Sequence, residues 1–270
     1  MKCSLIITTY NWVEALDLVL ESVLHQSVKP EEVVIADDGS DSLTSDLIKK
    51  YQAKSNLNII HSWQEDQGFR AARSRNKAIA RVSGEYIILT DGDMILHEQF
   101  IEDHIRRAEK GFFIQGSRVL LSKAKSIDVV KRRQVYFSPF ESGISNRKNA
   151  VRLPVFLSKL LSRRKNYLRG IKTCNMSFYR QDCLRVNGFN ESFEGWGRED
   201  SEFAVRMLNS GIDRNTVKFN ALQYHIWHNE NTRATLEKNE LLLKQAIDES
   251  KVRCNQGINQ HINRRGMSES

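Results

Sequence analysis

The chain has 270 residues, which is enough for one large globular unit or two small ones. With 40% hydrophobic and 27% charged residues, three prolines and fourteen glycines, its composition excludes disordered, collagen-like and low-complexity proteins. The formal net charge is +8, and no apolar run approaches the roughly 20 residues that span a bilayer. The first residues become polar too soon for a signal peptide, so we expect a cytoplasmic protein whose four cysteines are reduced structural thiols.

The positive charge is concentrated in one middle segment. Residues 118–180 contain sixteen Lys or Arg and two acidic residues, a net charge of +14, whereas the rest of the chain carries a net −6. A field of this sign predicts an anionic partner, which could be acidic lipid, nucleic acid or an anionic polymer.

The first 116 residues alternate short apolar runs with amphipathic stretches, which is the pattern of βα units on a mainly parallel sheet. The predicted strands are 4–10, 31–40, 57–62 and 85–93, and the predicted helices are 12–26 and 68–82. Ligands of open α/β sheets bind at the carboxyl ends of the strands. Three polar clusters lie at such ends: TTYN at 8–11, DDGS at 37–40 and DGD at 91–93.

The second half is less regular. Its predicted elements are a basic amphipathic stretch at 153–168, a strand at 173–180, a short helix, a helix from near Arg198 to Gly211, a strand at 216–222 and a helix at 233–252. We expect four parts in all: a regular α/β half, a basic and partly irregular insertion, a second half of the same domain, and a flexible tail. Their bounds are 1–116, 117–170, 171–253 and 254–270.

Asp91 and Asp93 offer two carboxylates separated by a glycine that allows a tight bend. Both carboxylates could point into one crevice and hold a hard divalent cation that bridges phosphates, although the same residues also suit an ordinary turn. The chain has neither the GxGxxG nor the GxxxxGK[ST] phosphate loop. A nucleotide bound here would therefore be held by side chains and a metal.

Two further groups of residues have chemical potential. His225 and His228 could converge on one metal in a turn, but not in an extended segment, and they could equally be ordinary histidines. Glu199 and Asp200 could cap a helix. Asp200 could instead be a base exposed beside Trp196, whose ring can stack on a sugar.

LIITTYN, VVIADDGS, QGFRAARSRN and YIILTDGD, in that order, resemble the family 2 inverting glycosyltransferases with the GT-A nucleotide-diphospho-sugar transferase fold. This likeness covers residues 3 to about 100. GFNESFEGWGREDSEFAVR and YHIWHN resemble the galactosyltransferase-type C-terminal region of chondroitin-polymerase-like enzymes and β-1,4-galactosyltransferases. The resemblance implies an α/β fold with a mainly parallel, Rossmann-like sheet and a helical acceptor region. It also implies that 1–116 is the nucleotide-sugar-binding half and that 171–253 is the acceptor and catalytic half of the same domain.

The resemblance also implies roles for the matching residues. Those near the nucleotide would be Thr8, Tyr10 and Asp38 at the uracil, Asp91 at the ribose, and Arg75 and Arg70 close by. Those that bind Mn²⁺ or Mg²⁺ would be Asp93, His228 and His225. Trp196 and Glu199 would contact the sugars, and Asp200 would be the catalytic base.

The implied function is metal-dependent, inverting transfer of a hexose or N-acetylhexosamine from a UDP-sugar to a glycan or glycolipid, in bacterial surface polysaccharide or lipopolysaccharide synthesis. Residues 147–169 could hold the protein peripherally on the inner, anionic face of the cytoplasmic membrane, or could be a solvated insertion. Three alternatives are a nucleic-acid-binding protein, a nucleotidyltransferase and an inactive scaffold. Nucleic-acid binding explains the charge but leaves the motifs unexplained.

Overall fold

The computed structural model describes residues 1–164, 166–229 and 232–262. In this part of the chain the strands are β1 Cys3–Thr9, β2 Glu32–Asp37, β3 Ile59–Trp63, β4 Tyr86–Asp91, β5 Met94–Leu96, β6 Phe112–Gln115, β7 Val119–Leu120, β8 Arg163–Arg164, β9 Met176–Tyr179, β10 Asp213–Thr216 and β11 Gln223–His225. The helices are α1 Val13–Leu24, α2 Ser42–Lys54, α3 Ala71–Ile79, α4 Phe100–Arg107, α5 Lys123–Arg132, α6 Val155–Leu161, α7 Arg180–Arg185, α8 Glu199–Asn209, α9 Leu236–Asp248 and α10 Asn259–Ile262.

Eight strands form one sheet, in the order β3-β2-β1-β4-β9-β6-β10-β8. Strands β1 to β4 are parallel, whereas β9 runs antiparallel between β4 and β6. The predicted α/β class is confirmed, with a parallel half at the N-terminal strands and a mixed half beyond β4. The strands and helices predicted for the first 93 residues are present, with bounds shifted or shortened by one to three residues, whereas α2 was not predicted.

Both faces of the large sheet are buried, which explains why its N-terminal strands are almost continuously apolar. Successive side chains of a strand point to opposite faces. Ile6 therefore packs in one layer with residues of α3 and α8, while Leu5 and Ile7 pack in the other with residues of α1 and α2.

A smaller sheet of three strands, in the order β5-β11-β7, lies beside the carboxyl end of β4. Helix α5 packs against it through Val129, in a separate small core that also contains Val119 and Tyr224. The sequence shows few element signals for 123–170, yet α5 begins at a standard cap, since the Ser122 hydroxyl accepts a hydrogen bond from the Lys125 N–H.

The strand predicted at 216–222 is wrong. Strand β10 ends at Thr216, and β11 begins only at Gln223. Between them Phe219 and Ala221 have φ of 60° and 51°, a left-handed conformation that no strand accommodates. The Ala221 N–H is instead bonded to the buried Asp103 carboxylate at 2.9 Å.

Residues 254–262, which the sequence assigned to a flexible tail, pack against the core. Cys254 and Ile258 are buried. The Asn187 side chain donates to the Cys254 carbonyl at 2.8 Å and accepts from the Asn259 N–H at 3.0 Å, so one buried amide fixes this segment. The remainder of the predicted tail, 263–270, and Lys165 of the predicted basic stretch lie outside the described residues. No helix among the described residues has the length and apolar character that crossing a bilayer requires.

Candidate active site

The DGD motif lies at the carboxyl end of β4, where that strand meets β1. Asp91 is the last residue of β4, and the Gly92 N–H donates to the Thr8 carbonyl at 2.7 Å. A Cβ at position 92 would lie only 2.9 Å from the Thr9 hydroxyl oxygen, so glycine allows this close approach of the turn to β1. The turn then leads through Asp93 directly into β5.

The pairing of β5 with β11 brings His225 and His228 to Asp93. His225 lies opposite Met94, and the Ile226 N–H donates to the Asp93 carbonyl at 3.0 Å. Strand β11 ends at His225, and the imidazoles of His225 and His228 converge on Asp93. Their Nε2 atoms lie 3.3 and 3.2 Å from the same Asp93 oxygen and 3.3 Å from each other.

This cluster is suited to a divalent cation. Burial would raise the pKa of Asp93, but its contacts with His225 and His228 lower that pKa to about 2. The other Asp93 oxygen and one oxygen of Asp91 are buried without a hydrogen-bond partner. Two imidazole nitrogens and a carboxylate are ligands that bind transition metals, and ligand atoms on one such ion lie about 3 Å apart. The residues present therefore fit a metal ion.

The buried Arg75 links the DGD motif to the start of α8. Its guanidinium lies 3.7 Å from Asp91 and 3.3 Å from Glu199, and it donates to the Thr8 hydroxyl at 3.3 Å. Burial raises the pKa of Asp91 to about 6, an effect that Arg75 opposes and Asp93 reinforces. Arg75 of α3 thus contacts residues of three other elements, β1, β4 and α8.

A second polar group lies at the ends of β1 and β2. The buried Asp38 carboxylate accepts from the Gln64 amide at 2.5 Å and from the Arg70 N–H at 2.7 Å. Burial raises the pKa of Asp38. Tyr10 is half-exposed, and its hydroxyl donates to Asp66 at 2.9 Å.

The Arg70 side chain does not reach this group. Its guanidinium donates to the Gln67 side chain at 2.6 Å and to the Glu65 carbonyl at 2.8 Å. The Arg70 N–H is hydrogen-bonded to Asp38, and the charge of the Arg70 side chain opposes the rise that burial causes in the pKa of Asp38. The other predicted site residues lie close to Asp38, around Arg75, in the cluster at Asp93, or at the start of α8.

The GWG loop before α8 is held in place by α9. Gly195 has φ of 70°, and a Cβ there would lie 2.2 Å from the Thr235 hydroxyl oxygen, so only glycine fits. The buried Asn239 side chain donates to the Glu194 and Gly197 carbonyls at 3.1 and 3.0 Å. Trp196 remains 38% exposed, which leaves part of its ring open to a ligand.

Asp200 lies in the first turn of α8, next to Glu199. It is partly exposed, and one of its oxygens accepts from the N–H and the hydroxyl of Ser201 at 2.6 and 3.2 Å. Burial and the neighbouring charge of Glu199 raise the pKa of Asp200 to about 7, although Arg75 opposes this. A carboxylate with such a pKa can accept a proton near neutral pH.

Arg118 is a candidate site residue that the sequence analysis missed. Its backbone carbonyl accepts from the Asn146 and Asn149 amides at 2.9 and 3.1 Å, which fixes it at the start of β7. Its half-buried guanidinium has no hydrogen bond or ion pair with any residue that the structure describes. The charge of Arg118 nevertheless lowers the pKa of Asp91, which burial raises. The sequence signal for Arg118 is a positively charged residue shortly after the apolar residues of FFIQ.

Comparisons with known proteins show which family and fold this chain shares. The model of Glycosyl transferase family 2 matches residues 4–187, and that of the N-terminal domain of galactosyltransferase matches residues 156–229. Validoxylamine A glucosyltransferase of Streptomyces hygroscopicus subsp. limoneus is 31% identical over 223 residues, which are 77% of this chain and 48% of the relative. Chondroitin synthase of Escherichia coli is 25% identical over 241 residues, which are 82% of this chain and 34% of the relative.

The chain thus spans about half the length of the first of these curated relatives and a third of the second. Among solved structures, S. aureus TarS 1-349 in complex with UDP has a TM-score of 0.63 at 16% identity, covering 97% of this chain and 68% of TarS 1-349. The complex of the same protein with UDP-GlcNAc gives 0.64 at 16% identity, covering 97% and 69%. At this identity the likeness shows the fold alone. The predicted resemblances are confirmed: the chain has the GT-A fold and belongs to glycosyl transferase family 2.

Proposed function

We propose that this protein is a metal-dependent inverting glycosyltransferase that moves a hexose or N-acetylhexosamine from a UDP-sugar to a hydroxyl of a glycan or glycolipid. The observation that carries the proposal is the contact of the buried Arg75 with both Asp91 and Glu199, which joins the DGD motif to the first turn of α8. The solved complexes of TarS with UDP and with UDP-GlcNAc support a uridine nucleotide donor.

The donor would lie across the carboxyl ends of the parallel strands. Thr8, Tyr10 and Asp38 lie at or just beyond the carboxyl ends of β1 and β2, and the uracil would bind beside them. Asp91 would face the ribose, with Arg75 close to the nucleotide. Arg70 would act through its backbone hydrogen bond to Asp38, because its side chain is held by Gln67.

Asp93, His225 and His228 would hold Mn²⁺ or Mg²⁺ below the diphosphate. The chemistry that such a cation supplies when bound is neutralisation of the charge that develops on the departing diphosphate. Two imidazole ligands favour Mn²⁺ over Mg²⁺, because Mg²⁺ prefers oxygen ligands.

Asp200 would take the proton of the acceptor hydroxyl as its oxygen attacks the anomeric carbon. The bond to UDP breaks on the opposite side in the same displacement, so an α-linked donor gives a β-glycoside. Glu199 would orient the sugar, and the exposed face of Trp196 would stack on it.

The acceptor that we propose is a glycan or glycolipid. The likeness to a chondroitin synthase supports a sugar-bearing acceptor. We place the reaction in bacterial surface polysaccharide or lipopolysaccharide synthesis. The activity that we assign to this chain is a single transfer step, carried out by the one candidate site described above.

The proposal is tested by UDP release. The purified protein is incubated with Mn²⁺, a panel of UDP-sugars and oligosaccharide acceptors, and the anomeric configuration of the product is read by NMR. We expect UDP release with one donor and a product of inverted configuration. Release of pyrophosphate would identify a nucleotidyltransferase, and a product of retained configuration would contradict the role of Asp200.

The pH profile of the reaction is expected to depend on Asp200. Because a base must be deprotonated, kcat/KM should fall about tenfold per pH unit below an apparent pKa near 7. Glu199→Gln removes the negative charge that raises this pKa, so the acidic limb should move to lower pH. The measurement is kcat/KM between pH 5.5 and 8 for both proteins. An acidic limb at the same pH in both would contradict the assignment.

Arg118 is expected to bind the donor diphosphate. Charge-assisted hydrogen bonds contribute about 1.5–3 kcal/mol, so Arg118→Ala should weaken UDP binding by about 10- to 150-fold. Binding of uridine, which has no phosphate, should change little. Arg132→Ala is a matched control, because Arg132 is an exposed arginine of the same segment that pairs with Asp128. Equal effects of Arg118→Ala on UDP and uridine would contradict a phosphate contact.

A further inference from the structure

Helix α6 is oriented with its apolar side chains toward solvent. Its only fully buried residue is Ser158, whose hydroxyl donates to the Lys218 carbonyl at 2.7 Å. Phe156 is 65% exposed and Leu160 is 79% exposed, and Leu157 and Leu161 are also exposed. A surface helix of a globular protein normally buries its apolar stripe, so this orientation is the reverse of the usual one.

Positive side chains without partners accompany these apolar side chains. Lys159 and Arg163 are exposed and form no ion pair with the residues in the described ranges. They belong to the segment 118–180, which has a net charge of +14. We define the outward face as Phe156, Leu157, Lys159, Leu160, Leu161 and Arg163.

We propose that the outward face docks on an anionic membrane surface. A nucleic acid or an acidic protein surface would pair with the cations but leave four apolar side chains in contact with water. A purely apolar partner would bury two cations without counter-charges, which is unfavourable. An anionic bilayer satisfies both groups, because apolar side chains enter the boundary between headgroups and acyl chains while Lys and Arg meet the anionic headgroups.

The outward face is tied to the candidate metal cluster by a short path of backbone contacts. Just before α6, the Leu153 N–H donates to the Phe219 carbonyl, and the Asn220 amide donates to the Leu153 carbonyl, both at 2.9 Å. Residues 219–222 lead directly into β11, which ends at His225. Docking would thus hold the site at a fixed place relative to the bilayer. Of the two acceptor classes in the proposed function, on which this step rests, docking favours the membrane-borne glycolipid.

Vesicle flotation of the full chain tests the proposal. The probes are vesicles of phosphatidylcholine alone and vesicles that also contain phosphatidylglycerol. We expect the protein to float with the anionic vesicles at low salt, to float poorly with neutral ones, and to be released as salt screens the cations. Two double variants, Phe156→Ser with Leu160→Ser and Lys159→Gln with Arg163→Gln, should each reduce binding at least tenfold. Leu241→Ser is the matched control, because Leu241 is 66% exposed on α9, outside the outward face.

Three results would overturn the proposal. The first is no flotation with anionic vesicles at low salt. The second is a loss of binding in the charge variant alone, which would mean that the apolar side chains do not enter the bilayer. The third is a dimer in sedimentation that the Phe156 and Leu160 variant converts to monomer, since the face would then belong to a second copy. Flotation needs no nucleotide, so a failed donor assay and a failed flotation are distinguishable.

Discussion

Replacing Asp200 by asparagine is expected to lower kcat by about 10²- to 10⁴-fold, the contribution that a positioned general base makes. The amide has nearly the same shape as the carboxylate but cannot accept the acceptor proton. Because Asp200 lies at the start of α8 and contacts only Ser201 by hydrogen bonds among the described residues, UDP binding should be unchanged. The measurements are single-turnover transfer and the affinity for UDP in the presence of Mn²⁺.

Asp248→Asn provides the control for Asp200→Asn. Asp248 is exposed on α9 and pairs with Lys244, so the same chemical change there should leave transfer unaffected. Full activity in Asp200→Asn would remove Asp200 from the role of base. An equal loss of UDP affinity and transfer would instead indicate that Asp200 acts in binding.

The second large effect is expected at the metal cluster. Asp93→Asn and His228→Ala each remove one of the converging groups, while His225 remains. Altering even the outer partners of metal ligands lowers metal affinity by about 10- to 100-fold, so loss of a ligand should lower Mn²⁺ affinity by about 100-fold or more. Equilibrium dialysis with Mn²⁺ measures this affinity directly and does not depend on turnover.

His25→Ala is the matched control for the metal variants. His25 is a half-exposed histidine that pairs with Glu21 and lies outside the cluster, so its removal should leave Mn²⁺ affinity unchanged. Thermal unfolding of each variant would show whether the fold is retained. A folded Asp93→Asn protein that binds Mn²⁺ as tightly as the parent would contradict the metal assignment.

The family resemblance groups the residues of the cluster as one metal-binding set, but the spacing of these residues in the sequence could not show that they converge. DGD and YHIWHN name the residue types, whereas the approach of His225 to Asp93 depends on the pairing of β5 with β11. That pairing joins residues more than a hundred positions apart, and local periodicity carries no information about it. The contact of Arg75 with Glu199 is long-range in the same way.

The remaining differences between the sequence-based predictions and the structure have local causes. The stretch from Thr216 to Leu222 suits a strand by residue type, and only the positive φ of Phe219 and Ala221 excludes it. Arg118 belongs to no motif, and its position becomes informative only when Asn146 and Asn149 are seen to hold its backbone. The outward orientation of α6 is likewise set by a tertiary contact, that of Ser158 with Lys218.

Calorimetric titration of UDP into the purified protein, with and without Mn²⁺, tests the central claim most directly. The account predicts that binding requires the metal and that it is lost in Asp93→Asn but retained in Asp200→Asn. Binding of equal affinity with and without Mn²⁺, or no binding under either condition, would contradict a metal-dependent uridine nucleotide site.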